Sequence, residues 1–370
     1  MAIYTNKSCY EPIPRIDKLK LHFFSVFYAI WFIIIRVFKR LYKSEKVLRE
    51  IRDKPPPCLV DNTLGSHSYI KIGSLKLHYV EAGDINSPLI IMLHGFPDCW
   101  FGWRHQIKYL SEYFRVIAID LKGFGDSDKP VSKLNYRTRI LINELHQLII
   151  SFQSKSKIII GHDLGAYLGY YFVTIYPDLI SKFIALSCPH PNVFWDCLPK
   201  SSNINSKWIQ FCQIPFLPEM QAGENNLAII EEFYPHLRLK KGENLIEAYK
   251  YVFSRSEDWT GPINYFRALP FYRIKKCHSQ ISIPVLLIVG NCDPFVSLES
   301  IVTSTEYINT FSVKVVKGAA HFPHQENPDH VNDLILQFLT VAKKEIEPKT
   351  YTKNLMDCLY NTTKKYKIPW

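Results

Sequence analysis

Residues 157–166 read K-I-I-I-G-H-D-L-G-A, from Lys157 to Ala166. The apolar run Lys157–Ile160 has the composition of a short buried strand, and a helix follows the turn. Between them, Gly161 and Gly165 flank Asp163 in a Gly-x-Asp-x-Gly turn. Such a turn lifts its central side chain above the sheet at a helix N-terminus, where an anion is stabilised. The pattern is that of a nucleophile elbow carrying aspartate. Alone, it also fits an aspartate capping an ordinary strand–helix junction. The neighbouring His162 has two readings of its own: a direct role, or a structural hydrogen bond.

Outward from the elbow, strands and helices alternate. Tyr69–Glu81 reads as two β segments turning at Gly73, Leu89–Leu93 as a buried strand, and Phe114–Asp120 as another. Arg139–Phe152 has helical periodicity, and Tyr167–Tyr176 is helical. Phe183–Leu186, Ile283–Val289 and Val313–Val316 are further strands. Short apolar strands alternating with helices predict an α/β fold with a mostly parallel, doubly wound sheet. From about Asn192 to His278 the rhythm breaks into an aromatic-rich, proline-punctuated helical stretch, read as a cap inserted over the C-terminal edge of the sheet. The expected layout is a basic segment 1–54, core 55–191, cap 192–278, core 279–342 and a basic tail 343–370.

An aspartate at the elbow needs an acid and then a histidine downstream. Pro284–Asp293 (PVLLIVGNCD) is a strand delivering Asp293; Val315–His321 (VVKGAAH) is a strand and loop delivering His321. Both fall at C-terminal strand ends, where open α/β sheets build their sites. The chain has 13 histidines, so the order carries the argument, not the residue type. The loop after the first core strand, His94-Gly95-Phe96-Pro97, can supply an oxyanion hole from the N–H groups of Phe96 and Leu164. Pro97 has no N–H to give.

The net charge of +11 is confined to the ends. Residues 1–55 carry 12 Lys/Arg against 5 Asp/Glu, residues 342–370 carry 7 against 3, and the middle balances. That argues against a nucleic-acid groove on the folded body and fits tails near anionic lipid. Leu21–Ile35 (LHFFSVFYAIWFIII) is apolar all round and extends past Arg36 through Val37 and Phe38. It lies outside the fold expected to start near Cys58, and no small-residue cleavage site follows it. It therefore reads as a membrane anchor over about 21–38, marginal in length for a span. The expected localisation is a single-pass attachment, best matched by the endoplasmic reticulum, with lysines and arginines after the run leaning the catalytic domain to the cytosol. The triplets Asn6-Lys7-Ser8 and Asn361-Thr362-Thr363 do not decide this. Nine scattered cysteines show no metal-ligand spacing and read mostly as free thiols. No metal and no cofactor is expected, and the oligomeric state is left open.

HGFPDCWFGWRHQI (94–107), DLKGFGDSDKP (120–130), GHDLGA (161–166), SCPHPN (187–192), GPINYFRA (261–268), GNCDPFV (290–296) and GAAHFPHQENP (318–328) together resemble the epoxide hydrolase branch of the α/β-hydrolases. The resemblance covers roughly residues 60–340 and is nearest to the membrane-anchored epoxide hydrolase 4-like group. It implies an α/β-hydrolase fold, a small lipophilic substrate and a two-step reaction. Asp163 would attack an epoxide carbon to form an alkyl ester, and water activated by His321 and Asp293 would hydrolyse it. On an acyl group a carboxylate nucleophile would give an anhydride, so an esterase fits poorly.

Two positions depart from the family. It places two cap tyrosines over the epoxide oxygen as proton donors. Here the matching positions are Trp208, in KWIQFCQIP (207–215), and Phe266, in Asn264-Tyr265-Phe266-Arg267. Both phenols are then missing, and a general acid typically contributes about 10²–10⁴-fold. Tyr265, Trp208, Phe266 and His94 are the expected substrate-binding residues, with Tyr265 the nearest replacement donor. Plain cap packing is the other reading of Trp208 and Phe266. An indole over an aspartate nucleophile also fits a carbon–halogen hydrolase, although Leu164 replaces the tryptophan that follows the nucleophile in many haloalkane dehalogenases. A weakly active or inactive membrane-bound relative is a further alternative.

Overall fold

The computed structural model describes residues 9–42, 50, 52–196, 203–238, 245–275 and 280–340. The C-terminal tail, both Asn-x-Ser/Thr triplets, and Cys197, Cys277 and Cys358 lie outside the described residues.

The strands are β1 (Tyr10–Pro12), β2 (Ser66–Ile72), β3 (Leu75–Ala82), β4 (Leu89–Leu93), β5 (Arg115–Ile119), β6 (Lys157–His162), β7 (Lys182–Leu186), β8 (Tyr272–Ile274), β9 (Val285–Gly290) and β10 (Phe311–Val316). Eight of them form one sheet in the order β10-β9-β7-β6-β4-β5-β3-β2. From β10 to β5 every pairing is parallel; β3 and β2 add an antiparallel edge. Central strands β4 and β5 are buried throughout, as continuous Ile/Leu/Val runs require when helices cover both faces. The chain leaves β4 towards β5 on one side and later places β6 on the other. That reversal is a topological switch point, and it opens a crevice at the C-terminal strand ends.

The helices are α1 (Arg15–Tyr42), α2 (Arg104–Leu110), α3 (Thr138–Ser151), α4 (Leu164–Ile175), α5 (Pro191–Asp196), α6 (Asn203–Cys212), α7 (Leu217–Ala222), α8 (Ala228–Phe233), α9 (Pro235–Arg238), α10 (Leu245–Val252), α11 (Glu257–Ala268), α12 (Leu298–Ser304), α13 (Pro323–Glu326) and α14 (Pro328–Thr340). The run α5–α11 falls between β7 and β9, where the rhythm of the sequence breaks. It roofs the loops after β4 and β5: Tyr234 donates its hydroxyl to the Pro97 carbonyl at 2.7 Å, and Tyr265 donates to that of Lys122 at 3.0 Å. The bidentate pair of Arg267 with Glu219 ties α11 to α7.

The apolar N-terminal segment does form one helix, and Arg15–Phe38 is long and apolar enough to cross a membrane. The expectation that it stands outside the fold is not met. Tyr28 and Phe32 pack on Phe211 of α6 at ring separations of 5.9 and 4.9 Å. His22 lies on Phe271, and Arg36 pairs with Glu224. Upstream, β1 pairs antiparallel with β8 at the end of the cap. Three-residue strands more than 250 positions apart carry no local signal that sequence patterning can register.

Candidate active site

Four strand ends meet at one point. The loop after β4 brings Phe96, the turn after β6 brings Asp163, and the loops after β9 and β10 bring Asp293 and His321. Asp163 has φ 45° and ψ −112°, a conformation that an L-residue adopts only where its surroundings enforce it. Two glycines make that possible. A Cβ on Gly165 would collide with the Leu93 carbonyl of β4, and one on Gly95 would come within 2.7 Å of both Asp163 Cβ and His162 Nδ1.

The Phe96 N–H donates to Asp163 Oδ2 at 3.0 Å, and the Leu164 N–H also bonds the carboxylate. Both donors expected of an oxyanion hole therefore already converge on the aspartate. Burial raises the Asp163 pKa above the usual carboxylate range, opposed by His321 and these two N–H groups. His321 Nδ1 sits 3.1 Å from Asp293 Oδ2, and its Nε2 is 3.8 Å from Asp163 Oδ1. The Phe295 N–H fixes Asp293 Oδ1 at 2.9 Å. Burial alone would lower the His321 pKa; the Asp293 carboxylate, with help from Asp163, outweighs it and the net direction is up.

Two residues hold the His321 loop, Glu326 and His162, and only Glu326 carries no signal in the sequence pattern. Glu326 accepts the N–H of Ala320 at 2.6 Å and that of Phe322 at 3.0 Å, clamping the backbone on both sides of the histidine. His162 Nε2 lies 2.8 Å from the His321 carbonyl, which favours the structural-hydrogen-bond reading of that residue. Glu326 sits in the GAAHFPHQENP stretch, but nothing in the pattern says that its carboxylate turns back onto the loop.

The cap rings gather over Phe96. Phe266 lies 5.0 Å from it, Trp208 5.6 Å, Phe233 5.9 Å and Trp259 6.2 Å. Trp208 and Phe266 are thus brought to the candidate site, and none of these four rings carries a hydroxyl. Two expectations are corrected. Tyr265 points away: its hydroxyl is buried and committed to the Lys122 carbonyl, with its ring against Tyr136 and Phe124. His94 is also committed. Its Nδ1 meets the Gly95 carbonyl at 2.8 Å, its Nε2 accepts the Leu121 N–H at 3.0 Å, and burial pulls its pKa down to about 4. A neutral, fully bonded imidazole braces the loop and has no atom left for substrate.

Asp98, His162 and His324 bring potential ligand atoms within 4.8 Å of one another, a juxtaposition that spacing along the chain did not reveal. The carboxyl among them does not suit a cation. Asp98 already accepts from the Cys99 N–H and the Gln325 amide, burial raises its pKa to about 8, and the Arg104 guanidinium lies close enough to act on it. Ligands for a metal must be deprotonated. Asp98 is tied into the surrounding loops, whereas His162 Nδ1 and both ring nitrogens of His324 have no hydrogen-bond partner among the described residues.

The chain matches the α/β hydrolase fold family over residues 88–328. It is 34% identical to Epoxide hydrolase 4 of Homo sapiens over 303 residues, covering 79% of this chain and 83% of that protein. Epoxide hydrolase 3 of Xenopus tropicalis is 31% identical, with 78% and 82% covered. Among solved structures, the Bacillus megaterium epoxide hydrolase in complex with an inhibitor is 29% identical, with a TM-score of 0.66 over 74% of this chain and all of that one. Elbow, sheet order and relatives agree: the chain is a hydrolase of the epoxide hydrolase family, built on the α/β-hydrolase fold.

Proposed function

We propose that the protein opens a small lipophilic epoxide to a diol through an alkyl ester on Asp163. The observation that carries this reading is Asp163 held by Phe96 N–H and Leu164 N–H, with His321 and Asp293 lined up behind it. Asp163 attacks an epoxide carbon; the C–O bond breaks and the ring oxygen, with no cap phenol at Trp208 or Phe266 to serve it, takes its proton from water. In the second step His321 takes a proton from water, which adds to the ester carbonyl, and Asp293 steadies the imidazolium. The Phe96 and Leu164 N–H groups then stabilise the oxyanion, which collapses with cleavage of the ester C–O bond: the diol leaves with the proton from His321 and the Asp163 carboxylate is restored. The core halves 55–191 and 279–342 carry this machinery, 192–278 closes over it, and 1–54 attaches the chain to a membrane, expected to be the endoplasmic reticulum. No cofactor takes part.

The test is a single turnover in H₂¹⁸O with enzyme in excess. An ester mechanism transfers an Asp163 oxygen, so the first diol is unlabelled; direct attack by water would label it at once.

The rings around Phe96 favour a second reading, a slow relative. Without a phenol at Trp208 or Phe266, and with Tyr265 turned away, ring opening lacks its expected acid. A carbon–halogen substrate needs no such acid, and halide release from a haloacid panel would identify it.

A further inference from the structure

The N-terminal helix has two faces. His22, Tyr28, Phe32 and Arg36 contact the cap, and the buried Ser25 falls on the same stripe at spacings of three and four. Between Phe23 and Phe38 most of the other side chains are apolar and exposed. Fourteen large apolar side chains between Ile16 and Leu41 stay open, among them Phe23, Phe27, Trp31 and Leu41. An apolar surface this size marks an interaction site.

We infer that α1 lies flat in one leaflet of a lipid bilayer, with the cap's cavity opening beside it, and does not cross the membrane. The inference rests on the membrane attachment proposed above and specifies its geometry. Contacts with the cap run from Lys18, 5.5 Å over the Phe271 ring, to Arg36 on Glu224. Eighteen residues of helix rise about 27 Å, nearly the whole hydrocarbon thickness of about 30 Å. A crossing helix would drag Phe271, Phe211 and the charged neighbourhood of Glu224 into the hydrocarbon, where buried charge is costly. A flat helix needs only its exposed face in the lipid, about 5–10 Å deep. Arg15, Lys18 and Lys20 precede the apolar run; at interfacial depth such basic residues reach anionic headgroups.

A cavity of the cap lies beside this helix. It has a volume of about 970 Å³, and Arg36 of α1 forms part of its wall. Phe216 and Met220 also line it, 80% and 45% exposed, while Phe253 and Trp259 lie deeper. Trp259 packs on Phe96, whose N–H holds Asp163. The buried Trp259 ring therefore stands between the cavity and Phe96, and neither Asp163 nor His321 lines the cavity. The rest of the wall is largely charged and polar, with Arg52, Lys133, Glu219, Glu224, Arg255 and Arg267 among its residues.

The full chain is tagged at both termini, incorporated into sealed vesicles containing phosphatidylserine, and treated with protease from outside. Both tags should be cut together, or protected together, in each vesicle population. A nitroxide placed in turn at Leu19, Phe27 and Val37 should report similar shallow depths. One tag cut and the other protected, with Phe27 deepest, would overturn the flat arrangement. Release of the chain by a high-salt wash would overturn membrane attachment itself, without touching the chemistry at Asp163.

Discussion

His321 Nε2 stands 3.8 Å from Asp163 Oδ1, beyond hydrogen-bond length, while its Nδ1 is held by Asp293 at 3.1 Å. The histidine is therefore oriented by one carboxylate and leaves the other free to attack. A pair at direct hydrogen-bond distance would tie up the oxygen that has to reach the epoxide carbon. The separation suits a base whose turn comes in the second step.

That division predicts a pH dependence for ester hydrolysis. Water activation needs neutral His321, so the single-turnover hydrolysis rate should fall as pH drops through the His321 pKa and level off above it. Burial lowers this pKa and Asp293 raises it. Asp293→Asn removes that support, so the limb should move to lower pH while the plateau falls. Stopped-flow decay of the alkyl-enzyme across pH measures both.

Glu326 supplies a second handle on the same histidine. Glu326→Gln keeps an acceptor for only one of the two N–H groups now held by its two oxygens. A hydrogen bond to a charged group is worth about 1.5–3 kcal/mol, so hydrolysis should slow roughly tenfold or more. The carboxylate also raises the His321 pKa, so its loss should shift the hydrolysis limb to lower pH. A purely structural role would lower stability and leave that limb in place.

The cap predicts a gain. Phe266 lies against Phe96 and cannot donate a proton. Phe266→Tyr should raise the alkylation rate on a terminal epoxide, and Trp208→Tyr with Phe266→Tyr should raise it further, by tenfold or more, roughly 1.4 kcal/mol per tenfold step. Unchanged alkylation with a folded cap would exclude these positions as the source of the missing acid.

Legibility in the sequence followed locality. The Asp163 turn, the HGFP loop and the strands delivering Asp293 and His321 are runs of adjacent residues whose pattern encodes their own geometry. Tyr265 was misjudged because neighbours on a helix diverge by about 100°, and only the packing of α11 decides which of 265 and 266 faces Phe96. Glu326 could not be assigned for a similar reason, since its carboxylate acts by folding back on a loop. The docking of α1 on Phe211 and the pairing of β1 with β8 depend on elements far apart in the chain.

Those long-range contacts change what truncation should do. Deleting residues 1–54 removes the strand paired with β8 and the partners of Phe211 and Glu224. The sheet domain should still fold and stay off membranes after a high-salt wash. The cap should loosen, with faster proteolysis between 203 and 222 and a melting point lower by roughly 2–4 °C per kcal/mol lost. A truncated chain as stable and protease-resistant as the full one would mean that α1 does not brace the cap.

The central claim is that Asp163 becomes covalently alkylated. In His321→Gln the first step remains possible and the second does not, so incubation with an epoxide should leave enzyme plus one intact substrate mass. Fragmentation should place that mass on the peptide carrying Asp163, and Asp163→Ala in the same background should show none. Full turnover by His321→Gln, or an adduct on any other residue, would contradict the account.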